Sequence, residues 1–138
     1  MKTIEVVAAV IKNNDKYLAT QRGYGEFKGM WEFPGGKIET LENKKDALIR
    51  EIKEELNADI SVDSFLCTVE YNYPEFHLIM YTYICSLISK NIENMKHNDQ
   101  ELEHEDYKWL TINDIDSVNW LPADLEIIKQ LKNTNVNR

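Results

Sequence analysis

Cysteine, proline, glycine and long apolar runs are all scarce in this sequence, and each scarcity removes a class of protein. The two cysteines, Cys67 and Cys85, stand alone in apolar stretches with no CxxC or Cys/His spacing. That argues against a disulfide framework or a structural zinc site and points to buried thiols in a reducing compartment. Three prolines and five glycines are spread thinly, with no internal repeat or low-complexity tract, so nothing marks a linker and residues 1–138 read as one domain. The longest apolar-leaning run, residues 78–88, is about half the roughly 20 residues a membrane helix needs. The N-terminal Met1-Lys2-Thr3-Ile4-Glu5 has no signal-peptide core. A soluble, cytoplasmic protein without a membrane partner is expected. Positive charge is also in deficit, with 16 lysines and arginines against 24 aspartates and glutamates for a net charge of -8. A polymeric nucleic acid would approach against that field, whereas a small polyphosphate stays compatible if divalent cations mediate its binding.

What remains is globular material. The length is close to one domain by the soft prior of roughly 100–200 residues. With 43% apolar residues, three tryptophans, seven tyrosines and four phenylalanines, the chain can bury about two thirds of the surface it exposes when unfolded. Residues 4–12 are apolar and β-branched, Asn13-Asn14-Asp15 is a turn signal and residues 17–22 resume an extended pattern, so a β-hairpin opens the chain. Leu41, Leu48, Ile52 and Leu56 share one helical stripe, which predicts a helix over 40–56 with Thr40 as N-cap and Glu42 in the first turn. Residues 64–73 and 76–89, divided at Pro74-Glu75, predict a second antiparallel pair. A short strand around 107–110, a helix over 122–132 and a frayed tail at 133–138 complete the reading. Strands on both sides of a long helix, with another helix at the end, make an α/β sandwich with a mixed sheet.

The first helix carries Arg50-Glu51-Ile52-Lys53-Glu54-Glu55. At about 100° per residue, Glu51, Glu54 and Glu55 fall within a roughly 100° arc beside the apolar stripe, so three carboxylates converge at the edge of the buried face. A like-charge pair at i,i+4 costs on the order of 0.2–0.5 kcal/mol, and anions near a helix C-terminus oppose its dipole. Compensating positive charge is therefore expected, and Arg50 alone does not balance three partly desolvated carboxylates. Hard oxygens with no histidine or cysteine nearby in sequence favour Mg²⁺ or Mn²⁺ over zinc. Taken alone, the same glutamates also fit a solvated acidic helix face with Arg50 in a surface salt bridge.

The loop before the helix adds Trp31-Glu32-Phe33-Pro34-Gly35-Gly36-Lys37-Ile38-Glu39. Gly36, five residues, Glu42, seven residues, Arg50-Glu51, an apolar Ile52, one residue and Glu54-Glu55 together resemble the signature box of the Nudix hydrolases, over residues 36–58. Residues 4–22 and 31–36, Tyr71-Asn72-Tyr73-Pro74 and Leu121-Pro122-Ala123-Asp124 extend the likeness, specifically to the MutT-type nucleotide pyrophosphohydrolases, across nearly the whole chain. There are departures. Asn57 stands where a glycine usually follows the double glutamate, and asparagine is the best non-glycine residue for a left-handed helix C-cap. The apolar position after it is the small Ala58, and Leu41 replaces a glycine common in this subgroup.

The resemblance implies a Nudix fold, an α/β/α sandwich with a mixed central sheet. It implies that the Gly35 carbonyl, Glu51, Glu54 and Glu55 hold Mg²⁺, with Mn²⁺ as a substitute, and that Glu103 supplies a further ligand, although the acidic stretch 100–106 also reads as a solvated loop. Arg50 would orient Glu51 or Glu54, Glu42 would brace the loop, and Gly36 would serve it structurally. Glu51 is the first choice for the base that takes a proton from the attacking water, with Glu54 next. Arg22 and Lys37 would contact phosphates or else be solvated surface charges. Ile4, Val6 and Ala8, with Phe33 and Tyr73, would line a slot for a flat base, unless the strand residues are ordinary core. Phe76 occupies a place where this subgroup can offer an arginine. Asp124 would hydrogen-bond the base edge or else cap the last helix. The implied reaction is Mg²⁺-dependent attack of water within a nucleoside triphosphate, giving a monophosphate and pyrophosphate, on oxidised nucleotides such as 8-oxo-dGTP. The partner is a small-molecule nucleotide, and the chain a monomer or homodimer. The alternatives are CTP-type pyrimidine triphosphates, nucleotide sugars or ADP-ribose as substrate, or a non-catalytic ligand-binding module. A module would have no chemical need of the crowded set Arg50, Glu51, Glu54 and Glu55.

Overall fold

Residues 7–11 are each 2% exposed or less, the signature of a strand covered on both faces, and the other elements are arranged around it. The computed structural model describes residues 1–89, 92, 96–97, 101–102 and 104–136. The chain runs β1 (Lys2–Asn13), β2 (Lys16–Arg22), β3 (Trp31–Glu32), β4 (Gly35–Lys37), α1 (Lys44–Leu56), β5 (Ile60–Asn72) and β6 (Phe76–Leu87). A two-residue pair, β7 (Lys96–His97) and β8 (Glu101–Leu102), precedes β9 (His104–Thr111), a 3-10 turn at Ile115–Ser117 and α2 (Pro122–Val136). β1 is parallel to β6, from Lys2 opposite Phe76 to Ile11 opposite Cys85, and antiparallel to β2 and β4. The order β3-β2-β1-β6-β5, with β9 on β2 and β4 on β1, makes the sheet mixed.

Alternation along β1 divides the core. Val7, Ala9 and Ile11 meet Ala47, Leu48, Ile52 and Leu56 of α1 on one face. Ala8 and Val10 meet Ile127, Ile128 and Leu131 of α2, with Val69, Met80 and Trp120, on the other. Each fully buried leucine or isoleucine contributes roughly 1.5–3 kcal/mol, so two apolar helix faces hold the layers of the α/β sandwich. Among the described residues no helix is long and apolar enough to cross a membrane.

Element types follow the sequence, and several ends do not. α1 begins at Lys44 with Asn43 as N-cap, its Oδ1 accepting from the Asp46 N–H at 2.8 Å, so Thr40 is not the cap. Leu41 leaves the expected stripe because its φ of 69° is left-handed and its side chain is fully exposed. Glu42 therefore lies in the preceding loop instead of the first helical turn. At the other end Asn57 adopts φ 48°, ψ 39° and its N–H reaches the Lys53 carbonyl, the left-handed cap expected of it. α2 continues through Val136 in place of a frayed tail from 133. Near its end the Thr134 hydroxyl donates to the Gln130 carbonyl at 3.0 Å.

Candidate active site

The loop between β4 and α1 turns back on itself, with the Glu39 N–H donating to Glu42 Oε1 at 3.0 Å, and this aims Glu42 at the helix. Arg50 meets it with Nε on Oε2 at 2.7 Å and Nη2 on Oε1 at 2.9 Å. Its remaining donors reach Glu51 Oε1 at 3.0 Å, Glu54 Oε2 at 3.1 Å and the Lys37 carbonyl at 3.1 Å. One guanidinium thus ties the loop, the last glycine-rich strand and two helix carboxylates together. The hydrogen bonds from Arg50, then the one from the Glu39 N–H, hold Glu42 down at about 2. Those to Glu42, then to Glu51, hold the Arg50 charge more firmly still. Glu51 moves the other way: burial pushes it up against its bonds to Glu55 and Arg50.

The glycines are required by space. Gly35 pairs with Ala8, and a Cβ on it would lie 1.9 Å from the Val7 carbonyl oxygen. A Cβ on Gly36 would lie 2.4 Å from the Glu51 carboxyl carbon. β4 can therefore run against β1 only with a glycine at 35, and the Glu51 carboxylate can keep its place over β4 only with a glycine at 36.

Glu51, Glu54 and Glu55 form one end of a cavity of about 710 Å³ that extends along β1 to Asp124 at the start of α2, within the usual range of small-molecule sites. Its far wall is aromatic. Tyr73 stacks on Phe76 with centroids 5.1 Å apart and leans on Phe27 at 5.3 Å, and Phe33 stacks on Trp120 at 4.7 Å. The Tyr73 hydroxyl accepts from the Ala123 N–H at 3.3 Å, and Asp124 Oδ2 accepts from the Phe33 N–H at 2.8 Å. Asp124 is 4% exposed and reaches across to β3. Its carboxyl therefore bonds another element and also its own backbone N–H in the first turn of α2.

Of the residues singled out from the sequence, Arg22, Phe33, Gly35, Gly36, Lys37, Glu51, Glu54, Glu55, Tyr73, Phe76 and Asp124 line this cavity, as do Ile4, Val6 and Ala8. Glu42 stands behind it, on Arg50. Arg22, expected either at the phosphates or as a solvated surface charge, has a partner within the cavity wall. Both its Nε and Nη2 bond the Glu32 carboxylate, at 2.8 and 2.6 Å, and Tyr24 covers its guanidinium at 5.4 Å. Burial works against that charge and the Glu32 bonds outweigh it. Glu32, Tyr24 and Phe27 also line the cavity and were not anticipated. The signal for Glu32 was its place in Trp31-Glu32-Phe33 beside the glycines. Glu103 lies outside the described residues.

Among the described residues no three carboxylate, histidine or cysteine side chains form a ready-made metal cage, because Arg50 stands between Glu51 and Glu54 as an internal counter-charge. The donor set nevertheless fits a hard divalent cation. Glu51 and Glu55 are within hydrogen-bonding reach of each other, an arrangement of two carboxyls that needs a shared proton or a cation, and Glu54 adds a more exposed oxygen ligand.

The family model described as the NUDIX domain matches residues 1–131. The chain is 37% identical over 90 residues to a CTP pyrophosphohydrolase of Escherichia coli strain K12, covering 56% of this chain and 67% of that protein. It is 36% identical over 81 residues to an 8-oxo-dGTP diphosphatase of Proteus vulgaris, covering 57% and 72%. The solution structure of the DNA mismatch repair protein MutT, a Nudix hydrolase of methicillin-resistant Staphylococcus aureus 252, superposes with a TM-score of 0.69 at 39% identity, covering 94% of this chain and 96% of that one.

Proposed function

This chain is a MutT-type member of the NUDIX hydrolase family, and on that premise we propose that it is a Mg²⁺-dependent nucleoside triphosphate diphosphatase acting on oxidised or noncanonical nucleotides such as 8-oxo-dGTP. One observation carries the proposal: the carboxylates anchored by Arg50 and the aromatic slot closed by Asp124 are two ends of a single cavity, as a triphosphate with a flat base requires. Gly35, through its carbonyl, and Glu51, Glu54 and Glu55 would hold the divalent ion. The chemistry such an ion supplies is neutralisation of phosphate charge and polarisation of water.

The chain's own groups do the rest. Glu51 accepts the proton of the attacking water, a role supported by its place beside Gly36 at the carboxylate end of the cavity. Arg50 positions Glu51 and Glu54, and Glu42 fixes Arg50. Lys37, which lines the same cavity, would contact the phosphates. Phe33, Tyr73 and Phe76 hold the base, whose stacking is worth on the order of 1–3 kcal/mol by analogy with single-strand binding. The 37% identical CTP pyrophosphohydrolase favours a second reading, in which a pyrimidine triphosphate fills the same slot.

The test is product release over a panel of 8-oxo-dGTP, dGTP, CTP, a nucleotide sugar and ADP-ribose with Mg²⁺. Phosphate colour should appear only after pyrophosphatase is added, and 8-oxo-dGTP should give the highest kcat/KM. Free phosphate without the auxiliary enzyme places the chain outside this reaction, and preference for CTP selects the second reading.

A further inference from the structure

Helix α1 covers the β1 part of its sheet face and leaves the β5 and β6 part open. Val7 and Ala9 lie under the helix, whereas Ile79 and Tyr81 of β6, on the same side of the sheet, are only half-buried and Phe65 of β5 is 55% exposed. The Phe65 ring stands edge-on to Tyr83 at 5.4 Å. Tyr83 in turn lines a groove of about 400 Å³ whose other wall is Asn43, Lys44, Lys45 and Asp46 at the start of α1. A knob and a hole therefore lie side by side on one surface. A two-fold axis between them seats each copy's knob in the other's hole, which is the arrangement of an isologous pair.

Charge follows the same pattern. Glu5 and Glu70 flank Ile79 across the three strands, while two residues further along β6 the Lys44 Nζ sits over the Tyr81 ring at 4.5 Å. The acidic row and the cation are thus one pleat repeat apart, roughly 7 Å. A two-fold axis between them brings Glu5 and Glu70 of each copy against Lys44 of the other. Glu70 gives one oxygen to His77 and Glu5 one to the Tyr81 hydroxyl, and a carboxylate so engaged keeps lone pairs for a further donor. With a net charge of -8, two copies repel over their surfaces as a whole, and a face that pairs opposite signs is where contact becomes attractive. We propose that this face is a homodimer interface, with Phe65, Ile79 and Tyr81 at its centre and Glu5, Glu70 and Lys44 at its rim. An aromatic centre inside a charged rim is the anatomy of a specific interface, and Phe65 is its anchor. The base slot, lined by Ile4, Val6 and Ala8 on the opposite side of β1, stays open in such a dimer.

Sedimentation equilibrium of the full chain reads this directly. Between about 10 and about 500 µM the average mass should rise from that of the monomer toward twice that value. Phe65→Ser, at a position exposed in the monomer, should weaken the dimer at least about tenfold. Lys44→Glu and Glu70→Lys should each weaken it, and the double variant should recover most of the loss, because the swap restores the pairing across the axis. Leu125→Ser removes an apolar side chain that is 50% exposed on α2 and should leave the dimer unchanged. A chain that stays monomeric over the whole range overturns the inference. So does a dimer that Phe65→Ser leaves intact, that the charge swap fails to rescue, or that Leu125→Ser breaks.

Discussion

Gly35 and Gly36 are neighbours in sequence and face different constraints. A Cβ on Gly35 meets backbone, the Val7 carbonyl, which cannot yield without parting β4 from β1. A Cβ on Gly36 meets the end of the Glu51 side chain, which can swing away. Gly35→Ala should therefore cost about 1–3 kcal/mol of stability by overpacking, measured by urea unfolding, whereas Gly36→Ala should stay near wild type in that measurement and lose activity through a displaced Glu51. Equal destabilisation by the two substitutions would contradict this division. Glu54 is more than half exposed and bonds Arg50 at 3.1 Å. Glu54→Gln should lower kcat by orders of magnitude while leaving the unfolding midpoint of the metal-free protein unchanged or slightly raised, since it removes a like charge as well as an ion ligand. Near-normal turnover at low Mg²⁺ would remove Glu54 from the site. The spacing of the glutamates was legible from helical periodicity alone, but the bond from Arg50 to Glu42 was not, because it depends on a left-handed Leu41 that sequence pattern places inside the helix.

Helix α1 shows where element boundaries come from. Its stripe of Leu48, Ile52 and Leu56 marks the buried face correctly, and its start is decided by local hydrogen bonding at Asn43. Periodicity cannot distinguish Leu41, two turns before Leu48, from a fourth member of the stripe. Leu41 is a non-glycine residue at φ 69° with its side chain in solvent, so the left-handed strain of roughly 1–2 kcal/mol is not offset by packing. Leu41→Gly should stabilise the protein by about 0.5–1 kcal/mol once the added chain entropy of the unfolded state is subtracted. Equilibrium unfolding should show this, and a destabilised variant would mean that Leu41 packs against something in solution. Asparagine at position 57 already has a side chain tolerant of the left-handed region.

At the scale of the whole molecule, stability should carry the mark of the buried carboxyl. Asp124 titrates near 3.8 when unfolded and near 8 when folded. Between those values the folded state holds the extra proton, and stability falls as pH rises. Asp124→Asn should gain on the wild type progressively from pH 5 to pH 8, by up to about 1.4 kcal/mol per pH unit. A constant difference across that range would show that Asp124 is ionised throughout. Metal should act in the opposite sense on the other end of the cavity. Adding Mg²⁺ or Mn²⁺ should raise the melting temperature, with about 2.7 kcal/mol expected at a hundred times Kd, and no shift at millimolar metal would return the three glutamates to a solvated acidic face.

Most of what is local along the chain was legible in the sequence, the start of α1 excepted. The hairpin at the N-terminus, the α1 stripe, the 36–58 box and the left-handed cap at Asn57 are all written within a few helical turns or one strand pair, where periodicity and turn chemistry act directly. Tertiary structure decided what meets across the sheet. Phe33 and Asp124 are 91 residues apart and share a hydrogen bond, and Arg22 meets Glu32 because β2 pairs with β3 and the two strands carry both side chains into the cavity. No period in the sequence encodes such contacts. They exist because burial brings distant polar groups into a desolvated space, where each must find a partner or give up its charge.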